Sequence, residues 1–358
     1  MTIYDDTHAA LDQASAALAL AAKTTAGDAG LSAAVNPFLV SAGVGVSTAG
    51  VAVDKYVASI PTVMPLLAGL SAEGMSTPSS VVKNRICNAY HFDLEPTQGC
   101  PIPANNVIDK ALASGQPFRL RLYFGRYSAQ WLTNLAGSVI VSDTTGSANP
   151  TTASVPRWWT QPVLLAQEAF LKRLAAKYDG KVSLVFLSSP MTIFAEPMQR
   201  QIGDQTTRAN LVKAGYTYVL DRDAFTTGIM MMKPFVRTRV GLAVTPFQYV
   251  TLDGKGHNDA TITNQVIDSF RVAFPSGVVQ NNSLRTPLLS GEYTTMYDHM
   301  TRPLAFQTAT EPRVGDYAKS IEWAISRGAH IVELSPGFEK HLTAAQLADF
   351  DARLKANV

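Results

Sequence analysis

Two glutamates, Glu196 and Glu311, follow apolar runs of the kind that form buried strands. A pair of carboxyl groups about 5 Å apart can hydrolyse a glycosidic bond, because one donates a proton to the leaving oxygen while the other attacks the anomeric carbon. Taken singly, each glutamate is also compatible with a solvated loop position or an ion pair with the nearby Arg200 or Arg313. The pair therefore indicates sugar hydrolysis only if the fold brings the two loops together.

Other polar and aromatic side chains follow predicted strands and would complete such a site. Amide, imidazole and guanidinium groups are expected to hydrogen-bond sugar hydroxyls. Aromatic rings would stack on sugar faces or, alternatively, cover the rim of the fold. Two further glutamates, Glu292 and Glu333, are alternatives for the attacking carboxylate. The residues predicted to bind substrate are His91, Arg126, Trp131, Trp158, Trp159, Gln248, Asn281, Glu292, Tyr293 and Glu333.

The elements that must position these residues alternate along the chain from residue 62 onward. Helix-like spacing of apolar residues occurs at 105–114 and 162–177, and Gly115, Gly180 and Gly328 stand where left-handed helix ends are expected. The strand-like runs are 63–69, 86–93, 118–125, 182–188, 240–247, 277–283, 303–309 and 329–335.

This alternation predicts an α/β fold, a (β/α)8 TIM barrel with an Ala-rich helical N-terminal extension. A doubly wound open sheet is the alternative, but the segment 69–74 lacks the glycine spacing of a nucleotide-binding turn. In such barrels the active site forms where the strands end at their C-termini, so the loops carrying Glu196 and Glu311 are expected to meet there.

Composition sets further limits on function. The chain has 358 residues, of which 46% are hydrophobic and 16% charged, enough for one large core. A net charge of +2 offers no basic field for nucleic acid, so that partner is not expected. Cys87 falls in a predicted buried strand, which favours a reduced thiol over a bridge to Cys100 and leaves the redox compartment open.

The N-terminal residues 1–60 differ from the rest in composition and pattern, and they are predicted to form a separate extension ahead of a catalytic barrel at 61–358. Residues 7–24 have helical spacing, and the following stretch to about residue 60 is rich in Ala, Gly, Ser and Val. This extension is either a linker with a packing helix or a segment for oligomerisation or attachment to a larger assembly such as a virion tail. The acidic start predicts no secretory signal, and the interrupted run 31–52 predicts no membrane helix.

Metal chemistry is not favoured by the sequence. The six histidines are scattered, and no pair has the spacing that metal ligation prefers. We therefore expect no cofactor and no metal.

Several motifs resemble the clan A glycoside hydrolases, a superfamily of retaining TIM-barrel enzymes, over about residues 62–340. The run 85–99 with its Leu94-Glu95-Pro96 is similar to the clan's second-strand region, and 108–112 (IDKAL) to its following helix. The motif at 130–132 (QWL) and the final strand at 328–334 (GAHIVEL) are also similar.

The resemblance implies that Glu196 is the acid/base and Glu311 the nucleophile of a retaining, cofactor-free hydrolase acting on a polysaccharide or glycoconjugate. One departure is Ala195, which stands where the clan usually has Asn. This departure keeps open a barrel that binds carbohydrate, or serves a structural role, without catalysis.

Overall fold

The computed structural model describes residues 62–73, 81–144, 151–187 and 190–357. Its strands are β1 (Gly69–Glu73), β2 (Asn84–Tyr90), β3 (Phe118–Tyr123), β4 (Ser138–Asp143), β5 (Thr151–Pro156), β6 (Leu184–Phe186), β7 (Arg239–Val244), β8 (Phe247–Val250), β9 (Gly256–Asp259), β10 (Val278–Leu284), β11 (Leu304–Thr308) and β12 (Ile331–Leu334). Its helices are α1 (His91–Leu94), α2 (Val107–Ala113), α3 (Gln130–Ala136), α4 (Gln161–Tyr178), α5 (Gln205–Lys213), α6 (Tyr218–Met230), α7 (Ala260–Ala273), α8 (Glu292–His299), α9 (Glu311–Val314), α10 (Tyr317–Ser326) and α11 (Ala344–Ala356).

Eight of these strands form a closed barrel in the order β1-β12-β11-β10-β7-β6-β3-β2, with parallel neighbours throughout. The predicted (β/α)8 barrel is therefore confirmed. The predicted extension, including the helix at 7–24 and the stretch to residue 60, lies outside the described residues.

One strand prediction is wrong. The first strand was expected at 63–69, but β1 runs over Gly69–Glu73. Pro65 has no N–H to give to a ladder, which disfavours that run as a central strand. Leu66 packs instead beside the apolar cluster of inward-facing strand residues that includes Val278 and Ile331.

Alternation along the strands separates two environments. On β3 the side chains of Leu120 and Leu122 belong to the apolar core shared with the helices, whereas Arg119 and Arg121 lie buried inside the barrel. The helices cover the outer face because apolar residues recur at helical spacing; α4 buries Val163, among others, on one side. Most of the apolar burial therefore lies in the outer layer, and part of the interior carries polar groups.

Two hairpins extend the barrel beyond its β3 and β7 strands. The first joins β4 and β5 with Asp143 paired to Thr151, and the second joins β8 and β9. A separate apolar cluster that includes Val141 and Trp158 lies under the first hairpin. These additions build up one end of the barrel.

Helix ends and cysteines follow the sequence predictions. Gly115, Gly180 and Gly328 have φ of +67°, +75° and +79°, as left-handed helix ends require. Cys87 and Cys100 are free thiols, and burial raises the pKa of Cys87 to about 12. Within the described ranges no helix is both long and apolar enough to cross a bilayer.

Close packing inside the barrel makes Gly241 a sensitive position. A Cβ added there would lie 2.7 Å from ring carbons of Phe186. We expect Gly241→Ala to lower the free energy of unfolding by about 1–3 kcal/mol, the usual cost of overpacking, as measured by denaturant titration. The control Ser138→Ala, on the exposed face of β4, should change it by no more than about 0.5 kcal/mol. Equal stability of the two variants would contradict this packing.

Candidate active site

A cavity of about 710 Å3 opens among the loops that follow the C-terminal ends of β3, β6, β10 and β11. Its volume falls in the range of about 300–1,000 Å3 that is usual for small-ligand sites. Its walls include Tyr123, Glu196, Asn282, Tyr293 and Gln307. The cavity lies at the end of the barrel where (β/α)8 enzymes place their catalytic groups.

Glu196 lines this cavity from the loop after β6 and is half-buried. Burial raises the pKa of its carboxyl group above the usual value for glutamate, and the negative charge of Glu333 acts in the same direction. The backbone of Glu196, the charge of Arg121 and the amide of Asn282 oppose this rise. Because burial is the largest effect, Glu196 holds a proton to higher pH than an exposed glutamate does.

The floor of the cavity rests on a buried ion pair. Nη2 of Arg121 donates to both carboxylate oxygens of Glu333, at 2.9 and 2.7 Å, and Arg121 itself lines the cavity. Nε2 of Gln280 donates to Oδ1 of Asn282 at 2.8 Å and approaches Glu333 at 3.4 Å. The floor is therefore a fixed polar network, with the carboxylate of Glu333 beneath it and fully buried.

A second buried ion pair holds the loop that carries Glu196. Arg200 donates to both carboxylate oxygens of Asp221 at 2.7 and 2.8 Å, and Nη1 of Arg200 donates to the backbone oxygens of Pro190 and Pro197 at 3.2 and 2.6 Å. Asp221 also accepts from Trp158 Nε1 at 2.8 Å. Since Pro197 directly follows Glu196, this cluster positions the carboxyl group in the cavity.

Gln248 belongs to the same support rather than to the cavity wall. Its Oε1 accepts from the backbone N–H groups of Arg200 and Gln201, at 2.9 and 3.1 Å. Its amide nitrogen donates to Asn258 in the neighbouring hairpin at 3.3 Å. The side chain predicted to bind sugar therefore holds the loop instead.

Glu311 is not brought to the cavity in this conformation. It begins α9, and its carboxylate accepts from Lys340 Nζ and lies 3.1 Å from His341 Nε2. Those partners, His341 first, lower the pKa of Glu311, so the ionised form is favoured there. Neighbouring residues Thr310 and Pro312 do line the cavity, which places Glu311 at its edge with the side chain turned outward.

His91 and Trp131 support the loops behind the site. His91 is buried; its Nδ1 accepts from the Ala129 N–H at 3.0 Å, and its Nε2 lies 3.1 Å from Glu95. Trp131 donates from Nε1 to the Glu95 backbone oxygen at 2.9 Å. Both side chains form hydrogen bonds within the protein, and neither borders the cavity.

Three further predicted residues are likewise engaged elsewhere. Trp158 and Trp159 are buried and pack edge to face with ring centres 4.7 Å apart, under the first hairpin. Arg126 donates to the hydroxyl of Tyr127 and lies over that ring, 4.5 Å from its centre. None of the three lines the cavity, and the two tryptophans belong to the small core under the first hairpin.

The strand β10 shows how a one-residue difference decides which side chain meets the cavity. Asn281 donates to the Val244 backbone oxygen at 2.9 Å and accepts from Tyr297, so it faces away. Its neighbour Asn282 lines the cavity instead, as strand alternation requires. Glu292 accepts from the Ala260 N–H at the start of α7 at 2.7 Å, whereas Tyr293 lies in the cavity wall.

Sequence reasoning missed four charged residues of the cavity: Arg121, Asp143, Arg285 and Arg313. The alternation of charge with leucine in β3 was a detectable sign that Arg121 points inward. Asp143 ends the alternating strand β4, which lies outside the eight strand-like runs predicted from the sequence. Among the described residues no group of three or more His, Cys, Asp or Glu is arranged to hold a metal ion.

Neither a protein family model nor a curated protein matches this chain. Similar solved structures include endo-glycoceramidase II from Rhodococcus sp., at 10% identity and a TM-score of 0.44, with 81% of each chain covered. Xylanase XynB from Paenibacillus barcinonensis matches at 8% identity and 0.42, over 75% of this chain and 83% of that one. Morphinone reductase matches at 16% identity and a TM-score of 0.37, over 77% of this chain and 83% of that one. Likeness this distant, shared by hydrolases and a reductase, does not assign an activity.

The loop support gives a direct test. Asp221→Ala removes the partner of a fully buried guanidinium, and we expect a loss of about 3–5 kcal/mol in the free energy of unfolding. Asp223→Ala is the matched control on the same helix, because Asp223 is exposed and forms a long ion pair of 3.8 Å with Arg222. This variant should lower the free energy of unfolding by less than about 1 kcal/mol. Urea unfolding of both variants checks this, and similar losses would refute the role of the buried pair.

Proposed function

We propose that this chain is a glycoside hydrolase in which Glu196 is the general acid. The observation that carries the proposal is a half-buried carboxyl group with a raised pKa, held in a cavity at the C-terminal end of a (β/α)8 barrel. A carboxyl group that stays protonated toward neutral pH is what a glycosidic leaving oxygen needs. The resemblance of the sequence to clan A hydrolases supports the same assignment.

The surrounding groups suit a sugar ring. Tyr293 offers a ring face, and the amides of Asn282 and Gln307 offer hydrogen bonds to hydroxyl groups. Glu196 would donate its proton to the glycosidic oxygen as the bond from that oxygen to the anomeric carbon breaks and the second carboxylate bonds to the carbon. In the second half of a retaining reaction, the resulting carboxylate would take a proton from water.

The second carboxylate has two candidates. Asp143 and Glu196 are the carboxylates that line the cavity in the described part of the chain, and Asp143 faces it from the hairpin after β3. Glu311 is the candidate from the sequence, and it needs to leave Lys340 and His341 to enter the cavity. We assign the second role to Asp143, with Glu311 as the alternative.

Replacement of Glu196 should change both the rate and its pH dependence. Because the pKa of Glu196 is raised, the acid form persists above the ordinary value of about 4.3, and activity should fall as pH rises through the raised value. We expect Glu196→Gln to lower kcat by about 10²–10⁴-fold and to remove this alkaline limb from the pH profile. The control Glu168→Gln, on an exposed face of α4, should leave the profile unchanged; an unaltered Glu196→Gln profile would exclude the role.

The second carboxylate is tested by paired variants. We expect Asp143→Asn to lower kcat by about 10²-fold or more and Glu311→Gln to lower it by less than about tenfold, since catalytic carboxylates act directly on the reacting atoms. The reversed order would show that Glu311 turns into the cavity, as the sequence implies. NMR of the first-formed product anomer tests retention in the same samples.

A non-catalytic carbohydrate-binding barrel is the second candidate function. It is favoured by the outward orientation of Glu311 and by Ala195 ahead of Glu196. Binding of oligosaccharides without any release of new reducing ends by the wild-type protein would select it over hydrolysis.

A further inference from the structure

One cavity residue, Arg285, has a guanidinium group that the protein leaves largely unused. Arg285 follows β10, lines the cavity and is half-buried. Its Nε donates to the backbone oxygen of Ser283 at 3.1 Å, which fixes the side chain. Its two terminal nitrogens form no hydrogen bond or ion pair with any residue in the described ranges.

The terminal nitrogens of three other buried or half-buried arginines donate to acceptors of the protein. Arg200 pairs with Asp221 and three backbone oxygens, and Arg173 pairs with Glu95. Arg239 donates to the backbone oxygens of Met64 and Ser276. A partly desolvated guanidinium without such partners is costly, so Arg285 has the arrangement of a group that awaits a ligand.

The position of Arg285 relates it to the proposed acid. Tyr293 lies in the same wall and is close enough to both groups that the charge of Glu196 raises its pKa and the charge of Arg285 lowers it. A ring placed against Tyr293 would therefore lie near both the carboxyl group and the guanidinium. Of the acidic residues described, Glu196 and Asp143 border this cavity, with Arg313 as a further cation.

We propose that the cavity takes an anionic saccharide, with the carboxylate or sulfate of the sugar on the terminal nitrogens of Arg285 and the glycosidic oxygen at Glu196. This inference rests on the proposed function and names its substrate class. Guanidinium groups bind such anions through two parallel hydrogen bonds, which fix orientation as well as charge. Hydroxyl groups of the same ring would meet Asn282 and Gln307, which line the adjoining wall.

Binding can be measured separately from turnover by calorimetry on the Glu196→Gln variant at low ionic strength. The carboxylate arm uses trimers of galacturonate, glucuronate and mannuronate, each beside its neutral methyl ester. The sulfate arm uses 6-sulfated chitobiose beside chitobiose. We expect at least one acidic probe to bind at least tenfold more tightly than its neutral counterpart, and this preference to weaken with added salt.

Arg285→Gln, made in the same background, should remove that preference while leaving neutral probes unchanged. Arg222→Gln removes a positive charge from the exposed surface of α6 and should leave the preference for acidic probes unchanged. Tighter binding of neutral probes, an unchanged preference in Arg285→Gln, or no binding by any acidic probe would overturn the inference.

Turnover of the wild-type protein on the same probes separates the two proposals. Acidic probes that bind through Arg285 without being cleaved would refute the hydrolase and leave the anion site standing. Cleavage confined to neutral probes would support the hydrolase and refute the anion site.

Discussion

The ion pair between Arg121 and Glu333 is the constraint on which the rest of the site depends. It joins β3 to β12 inside the barrel, where both side chains are almost completely removed from water. A buried pair of this kind is often no more stable than a well-packed apolar substitute, because desolvation offsets the attraction. Its consequence is instead functional: it gives the cavity a polar floor and places a carboxylate below Glu196.

Support for this floor comes from outside the barrel. The strands bury their outward side chains against the helices, and that layer supplies most of the apolar burial. The interior is divided, with Leu184, Val278 and Ile331 in one apolar cluster and arginines and glutamate among the other buried interior residues. The outer layer can therefore hold the barrel closed while the upper interior keeps the charges that a catalytic site needs.

The sequence predicted the barrel well because strand and helix periodicities report burial directly. The site was harder, for reasons visible in single residues. Glu196 and Tyr293 line the cavity, whereas the predicted Asn281 faces away and its neighbour Asn282 lines it, since alternation near a strand end depends on a register that one sequence does not fix. Trp158, Trp159 and Gln248 do not line the cavity, for another reason. The two tryptophans pack in the small core under the first hairpin, and Gln248 lies in the second hairpin and hydrogen-bonds the loop that carries Glu196.

Two buried ion pairs stabilise different parts of the cavity, one its floor and the other the loop that carries Glu196. Arg121 and Glu333 belong to strands, so they are fixed by the barrel itself; Arg200 and Asp221 tie an irregular loop to α6. A loop of that kind has no ladder to hold it, and without the guanidinium bonds to its carbonyl groups Glu196 would be free to turn toward water. Turning toward water would remove the burial that raises its pKa. The burial that raises the pKa of the proposed acid thus depends on a loop held by an arginine that does not line the cavity.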